Sequence, residues 1–303
     1  MTRGGVVLVT GAAGGTQGQT GRHVSLGLLQ RGVRVRAFVH QLDERAERLR
    51  AAGAEVCAGD LLDLDSVRAA VRGVERVYFA YPVQPGLLEA TANMAVAAHE
   101  AGASRLVNLV MLQSSFDAPT PRMRQNFASE QIFDWADIGA VHVRATIFYE
   151  NLRALVRLSL ATEGAMRLPW GDAGTRVPLV SAEDVARLAT GLLAMESAPV
   201  ERAYPLVGEV ISVGAIVETF GRVLGRAVRY QEISDDEWRK DALARGFNEH
   251  AVQHLSSLWR AIRSQPAGVE FAVSDSLQRI GGAPPTSFEA FVRSERDALS
   301  VAA

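Results

Sequence analysis

Between residues 11 and 21, five of eleven positions are glycine, in the stretch Thr10-Gly11-Ala12-Ala13-Gly14-Gly15-Thr16-Gln17-Gly18-Gln19-Thr20-Gly21. A continuous apolar run, Val6 to Thr10, leads into it, and a helical pattern with Val24, Leu28 and Leu29 on one face follows. Glycines at a strand-to-helix turn let the backbone approach a pyrophosphate, whose charge then meets free amides and the positive end of the helix dipole. The candidates for that cradle are Gly11, Ala13, Gly14, Gly15, Thr16, Gln17, Gly18, Gln19 and Thr20. Two registers fit, Gly11-x-x-Gly14 and Gly15-x-x-Gly18-x-x-Gly21. The loop is about four residues longer than such loops usually are.

The rest of the chain supports a fold that can use this loop. Val33–Val39, Ala54–Ala58, Arg76–Ala80, Leu106–Leu112 and Val141–Ile147 read as strands, separated by helix-period segments that close on Gly32, Gly53, Gly73, Gly102 and Gly139. Leu42, Ala46 and Leu49 stripe the second helix; Phe127, Ile132 and Trp135 mark the fifth. Such alternation predicts an α/β fold, a Rossmann doubly wound parallel sheet with right-handed crossovers. After Phe148 the rhythm turns mostly helical, with start signals at Ser181, Ser212, Ser234 with Glu237, and Thr286 with Glu289. The expected division is therefore a nucleotide-binding domain over 1–149 and a smaller, mostly helical substrate region over 150–303. About 176–210 is expected to return to the sheet.

Ligands of an open α/β sheet sit at the carboxyl ends of its strands. At the end of the second strand an acidic residue would bond the ribose 2′-hydroxyl of NAD; His40 and Gln41 stand there instead. With His40, Arg36 and Arg45 as nearby cationic or donor groups, NADP(H) is expected over NAD(H). Asp60 and Leu61, after the third strand, fall where an adenine would lie, and Ala80, Tyr81 and Pro82 close the fourth beside the nicotinamide. An aromatic-proline pair at a strand end suits a wall against a flat ring.

These residues, together with Phe148-Tyr149-Glu150-Asn151-Leu152 and the tail Pro284-Pro285-Thr286-Ser287-Phe288-Glu289-Ala290-Phe291-Val292, resemble the NmrA-like branch of the atypical short-chain dehydrogenase/reductases. The resemblance spans nearly the whole chain. It implies a Rossmann domain holding NAD(P) and a substrate cleft beneath a C-terminal region, in a family that mixes reductases with catalytically silent sensors. Catalytic members of the wider superfamily use Tyr-x-x-x-Lys on the helix after the fifth strand, the lysine lowering the tyrosine pKa. Here that stretch is Arg122-Met123-Arg124-Gln125-Asn126, and Lys240, the only lysine, lies far along the chain. The usual dyad is absent.

Substitute groups for chemistry are Tyr81, Ser114 and Tyr149 as proton donors, Arg122 as a stabiliser of a developing oxyanion, and Asn126 as a ribose contact. Trp170 is a candidate roof for the cleft. Three functions follow: an NADPH-dependent oxidoreductase acting on a hydrophobic aromatic or quinone-like molecule, a chemistry compatible with natural-product tailoring; a non-catalytic NADP sensor that binds a partner protein; or redox-neutral coupling or isomerisation in the same cleft. With 32 Lys+Arg against 34 Asp+Glu and no basic block, no nucleic-acid partner is expected. His23, His99, His250 and His254 sit on predicted helices with no convergent acidic ligands and His142 reads as a satisfied strand residue, so no metal is expected either. The lone Cys57, the lack of a leader-like start and the lack of a long apolar run predict a cytoplasmic protein with no membrane span.

Overall fold

The computed structural model describes residues 5–15, 19–264 and 271–300. The first half alternates β1 (Val6–Thr10), α1 (Thr20–Gln30), β2 (Val35–Val39), α2 (Glu44–Ala51), β3 (Glu55–Ala58), α3 (Leu64–Val71), β4 (Val74–Phe79), α4 (Leu87–Glu100), β5 (Arg105–Met111), α5 (Pro121–Trp135) and β6 (Ala140–Ala145). There follow β7 (Ile147–Phe148), α6 (Tyr149–Glu163), β8 (Ala165–Leu168), β9 (Arg176–Val180), α7 (Ala182–Ala194), β10 (Ala203–Leu206), β11 (Glu209–Ser212) and α8 (Val213–Leu224). The chain ends with β12 (Arg229–Glu232), α9 (Asp235–Ala244), α10 (Glu249–Arg263), α11 (Ser276–Gly281), α12 (Phe288–Ser294) and α13 (Arg296–Ser300).

Seven strands form one parallel sheet in the order β10-β6-β5-β4-β1-β2-β3. Its strands are apolar on both faces because both faces are covered. Val7, Val9, Ala37 and Val39 pack beneath α1, α2 and α7, while Leu8, Phe38, Val77 and Phe79 pack beneath α3, α4 and α5. Arg76 and Arg105, near the amino ends of β4 and β5, reach the last turn of α7. Arg76 donates to the carbonyls of Leu193 and Met195, and Arg105 to those of Leu192, Met195 and Ser197. Cations at the negative end of a helix dipole both neutralise it and satisfy its free carbonyls.

A second core lies outside the sheet, built from α6, α8, α9, α10, α12 and α13 around Tyr149, Phe220, Trp238, Trp259 and Phe288. Two small sheets, β11-β9-β7 and β12-β8, edge it. These short strands alternate too little to stand out in the sequence. The two bodies are interleaved: α7, β10 and α11 belong to the main sheet layers, and β7 and β9 to the outer region. Asp184 on α7, fully buried, fixes the tail by accepting from the backbone and hydroxyl of Thr286 at 2.7 and 2.9 Å.

Several local expectations need correction. Thr286 is therefore not the cap of the tail helix; Ser287 is, accepting from Ala290 N. Leu42 precedes α2 and is exposed, and Trp135 at the end of α5 is exposed as well. Trp170 is fully buried against Trp259 in the second core and roofs no cleft. No helix among the described residues is long and apolar enough to cross a membrane.

Candidate functional site

Strand order reverses direction between β1 and β4, and the crevice at their carboxyl ends is where ligands of this architecture bind. Thr10 fastens the two ends together, its hydroxyl accepting from Ala80 N at 2.9 Å and donating to Ala80 O at 3.1 Å. From there the chain turns through Gly11 and Gly14, both at positive φ (60° and 70°), with Gly14 N bonded to Gly11 O. A side chain at Gly21 would lie 2.5 Å from the carbonyl oxygen of Thr10, so only glycine lets α1 pack this close to β1. Gly11 and Gly14 thus make the turn and Gly21 the close approach among the described residues. Thr16, Gln17 and Gly18 lie outside the described residues.

The loop has the features a pyrophosphate requires. Space beyond Gly11 and Gly15 is open, and α1 starts from Gln19 with no side chain capping its free amides. The buried hydroxyl of Thr20 accepts from that of Tyr78 at 2.8 Å. Ala13 packs against the core beneath the loop.

At the adenosine side, His40 is exposed just past β2, and Arg45 reaches from α2 back to the loop. Its guanidinium donates to Gly14 O at 2.9 Å and to Asp43 Oδ2 at 2.6 and 2.8 Å, which holds a cation beside the glycine turn. Arg36 does not belong here: it lies toward the amino end of β2, bonded to Glu55 and the carbonyls of Ala70 and Arg72. Asp60 ends β3 in an exposed turn, one carboxylate oxygen accepting from Leu62 N, while Leu61 is half-buried on the α3–α4 side.

At the other side of the crevice, Tyr81 and Pro82 leave β4 in a short loop, with the Tyr81 hydroxyl given to Pro85 O at 2.8 Å. Arg122 clamps this loop. It is buried, at 2% exposure, and donates to the carbonyls of Tyr81 (3.0 Å), Pro82 (2.7 Å) and Gln84 (3.0 Å), with the Tyr81 ring 5.8 Å from the guanidinium carbon. Burial pushes its pKa down to about 10. A solvent-exposed first-turn arginine is thus ruled out by a loop some forty residues earlier, which folds over it. Ser114 donates to Met111 O at 2.6 Å and Asn126 Oδ1 accepts from Met111 N at 2.9 Å, so both shape the end of β5.

Tyr149 is a correction. It is fully buried in the second core between Phe288 and Phe291, and its hydroxyl is bonded to Glu209 and to Thr286 O. Burial, then the charges of Glu209 and Asp184, push its pKa up, so it is no proton donor for a ligand at the sheet. His142 is satisfied inside the sheet by Asp134 and Asn108. Among the described residues no cluster of His, Cys, Asp and Glu could hold a metal.

From sequence alone Glu150 stands only within the family-like run 148–152, and His250 and His254 only as helical histidines without acidic ligands. Glu150 lines a cavity of about 250 Å³ shared with Gln19, Arg22, His23, Ser181 and Thr286, against the start of α1. Both carboxylate oxygens accept from Ala182 N, and burial raises its pKa to about 7. His250 and His254, on the first two turns of α10, lie within reach of the Arg122 charge. Only the three-dimensional meeting of α10 with α5 shows this.

The NmrA-like family model matches residues 4–292. The (4-alkanoyl-5-oxo-2,5-dihydrofuran-3-yl)methyl phosphate reductase of Streptomyces griseus is 30% identical over 93% of this chain and 95% of its own. The NAD(P)H azoreductase of Xenophilus azovorans is 24% identical over 85% of this chain and 88% of its own. Among solved structures, NmrA, a negative transcriptional regulator in complex with NADP, superposes with a TM-score of 0.80 at 19% identity, covering 99% of both chains.

Proposed function

Since the chain belongs to the NmrA-like family, we propose that it is an NADPH-dependent reductase of a small aromatic or quinone-like acceptor. The observation that carries this reading is the cradle itself, with the Gly11–Gly14 turn, the side-chain-free approach at Gly21, the uncapped start of α1 and Arg45 fixed on Gly14 O. The loop amides would hold the pyrophosphate, and Arg45 with His40 would meet a 2′-phosphate, which NADPH has and NADH lacks. NADPH, when bound, supplies a hydride. Two relatives named as reductases, one for a conjugated oxo-furanyl phosphate and one for azo compounds, support the reaction class.

The acceptor class follows from what the chain does not offer. Tyr81 gives its hydroxyl to Pro85 O, Tyr149 is sealed in the second core, and positions 122 and 126 carry arginine and asparagine. Quinones and conjugated enones take hydride at carbon to give stabilised phenolates or enolates, and so depend less on a strong proton donor than an isolated ketone does. Tyr81, Pro82 and the Ser114 turn would orient the flat ring.

A sensor is the second reading, favoured by the missing dyad and by the likeness to NmrA. Calorimetric titration with NADPH, NADP⁺ and NADH separates the two. NADPH binding at least tenfold tighter than NADH, followed by loss of nicotinamide absorbance on adding 1,4-naphthoquinone, is the expected result. Preference for NADP⁺ without turnover of any quinone or enone would favour the sensor, and absence of binding by all three would remove both.

A further inference from the structure

Arg122 is a buried cation placed where helix electrostatics oppose it. It occupies the first turn of α5, after the Thr120 cap and Pro121, so the positive end of that helix adds to its charge. Three hydrogen bonds to carbonyl oxygens leave its Nε shut from solvent with no partner among the described residues. A second helix start faces it. Asn248 caps α10, His250 stands in its first turn with Nε2 equally buried and unpartnered, and His254, one turn on, is buried with Nδ1 3.2 Å from Thr120 Oγ1.

Among the described residues no carboxylate forms an ion pair with Arg122. Arg144, by contrast, is paired with Glu130, and Arg105 sits on the negative end of α7. The acidic residues nearest in sequence, Asp117 and Glu249, are exposed, and Asp117 is engaged by Ser115. Burial, reinforced by the Arg122 charge, lowers the pKa of both histidines. Two buried nitrogens without a partner among the described residues, two helix starts joined through Thr120 and His254, and one buried guanidinium place positive potential beside Tyr81 and Pro82.

We propose that Arg122 and His250 form a seat for an anionic substituent of the acceptor, a carboxylate, sulfonate or phosphate ester, with Arg122 Nε–H and His250 Nε2–H as donors and His254 supporting Thr120 beside them. Its place in the acceptor cleft rests on the function proposed above; its preference for anions does not. The acceptor then has two handles, a flat ring against Tyr81-Pro82 and a fixed charge at the start of α5 and α10.

The test is calorimetric titration of the whole protein, with and without saturating NADP⁺, using 2-naphthalenesulfonate and its neutral counterpart 2-naphthalenesulfonamide. At least tenfold tighter binding of the sulfonate is expected. Equal affinity, or no sulfonate binding at millimolar concentration, would overturn the proposal. Because Arg122→Gln removes the clamp on the 81–84 loop and can disturb folding, His250→Gln is the second arm. It should weaken the sulfonate at least threefold and leave the sulfonamide unchanged, whereas equal changes in both ligands would overturn the assignment of His250. Failure of NADPH to bind in the same samples would remove the reductase reading while the sulfonate preference of the cofactor-free protein is still read directly.

Discussion

Arg45 is the side chain proposed to set the nucleotide preference. It has given bonds to Asp43 and Gly14 O, so its direction is fixed before a ligand arrives. A charge-assisted hydrogen bond is worth roughly 1.5 to 3 kcal/mol, or about ten- to a hundredfold in affinity. Arg45→Ala should therefore weaken NADPH at least tenfold in calorimetry and leave NADH within about twofold; equal losses for both would move the 2′-phosphate elsewhere, with His40 next in line. At this scale the sequence was legible where chemistry is local, as at Gly11 and Gly14, whose positive φ is a property of the turn itself. It was not legible where burial decides. Tyr149 and Arg122 look like surface or cleft residues until Phe288 and Phe291 cover one and the Tyr81–Gln84 loop covers the other.

Elements meet at their ends, and Glu150 is the point where three do. It opens α6, accepts from the first amide of α7 at Ala182, and faces the start of α1 across the 250 Å³ cavity. Its pKa, ordinarily 4.5, is raised to about 7 by burial. Between these values the folded protein holds a proton that the unfolded chain has released, so this group's contribution to stability falls as pH rises through that window and is constant above it. Glu150→Gln removes the titration while keeping an oxygen to accept from Ala182. The melting temperature of the wild type relative to this variant should decline from pH 4.5 to pH 7 and then level off; a difference that does not change with pH would show that the carboxyl titrates normally. The main-sheet strands could be read as apolar runs because helices cover both faces. Those of the outer sheets could not, because the pairing of β7, β8, β9, β11 and β12 is decided by distant partners.

For the whole molecule, aromatic placement is uneven in a useful way. Trp170, Trp238 and Trp259 are all fully buried in the outer core, with ring centroids 5.3 and 5.8 Å apart along the cluster, while Trp135 is exposed at the end of α5. In a Trp135→Phe variant, tryptophan emission therefore reports the outer core alone. Its denaturant transition should coincide with that of the backbone circular dichroism, most of which comes from both bodies together; two separated midpoints would mean that the bodies unfold independently. Coincidence is expected because the chain passes between them after β6, after β9, after β10, after α10 and after α11. A door swings about one line, and these passages leave no such line. On this connectivity, tightening of the outer region over a ligand is expected as a short slide of packed surfaces rather than a wide rotation, so the proposed acceptor would thread its way in at the rim instead of waiting for a jaw to open.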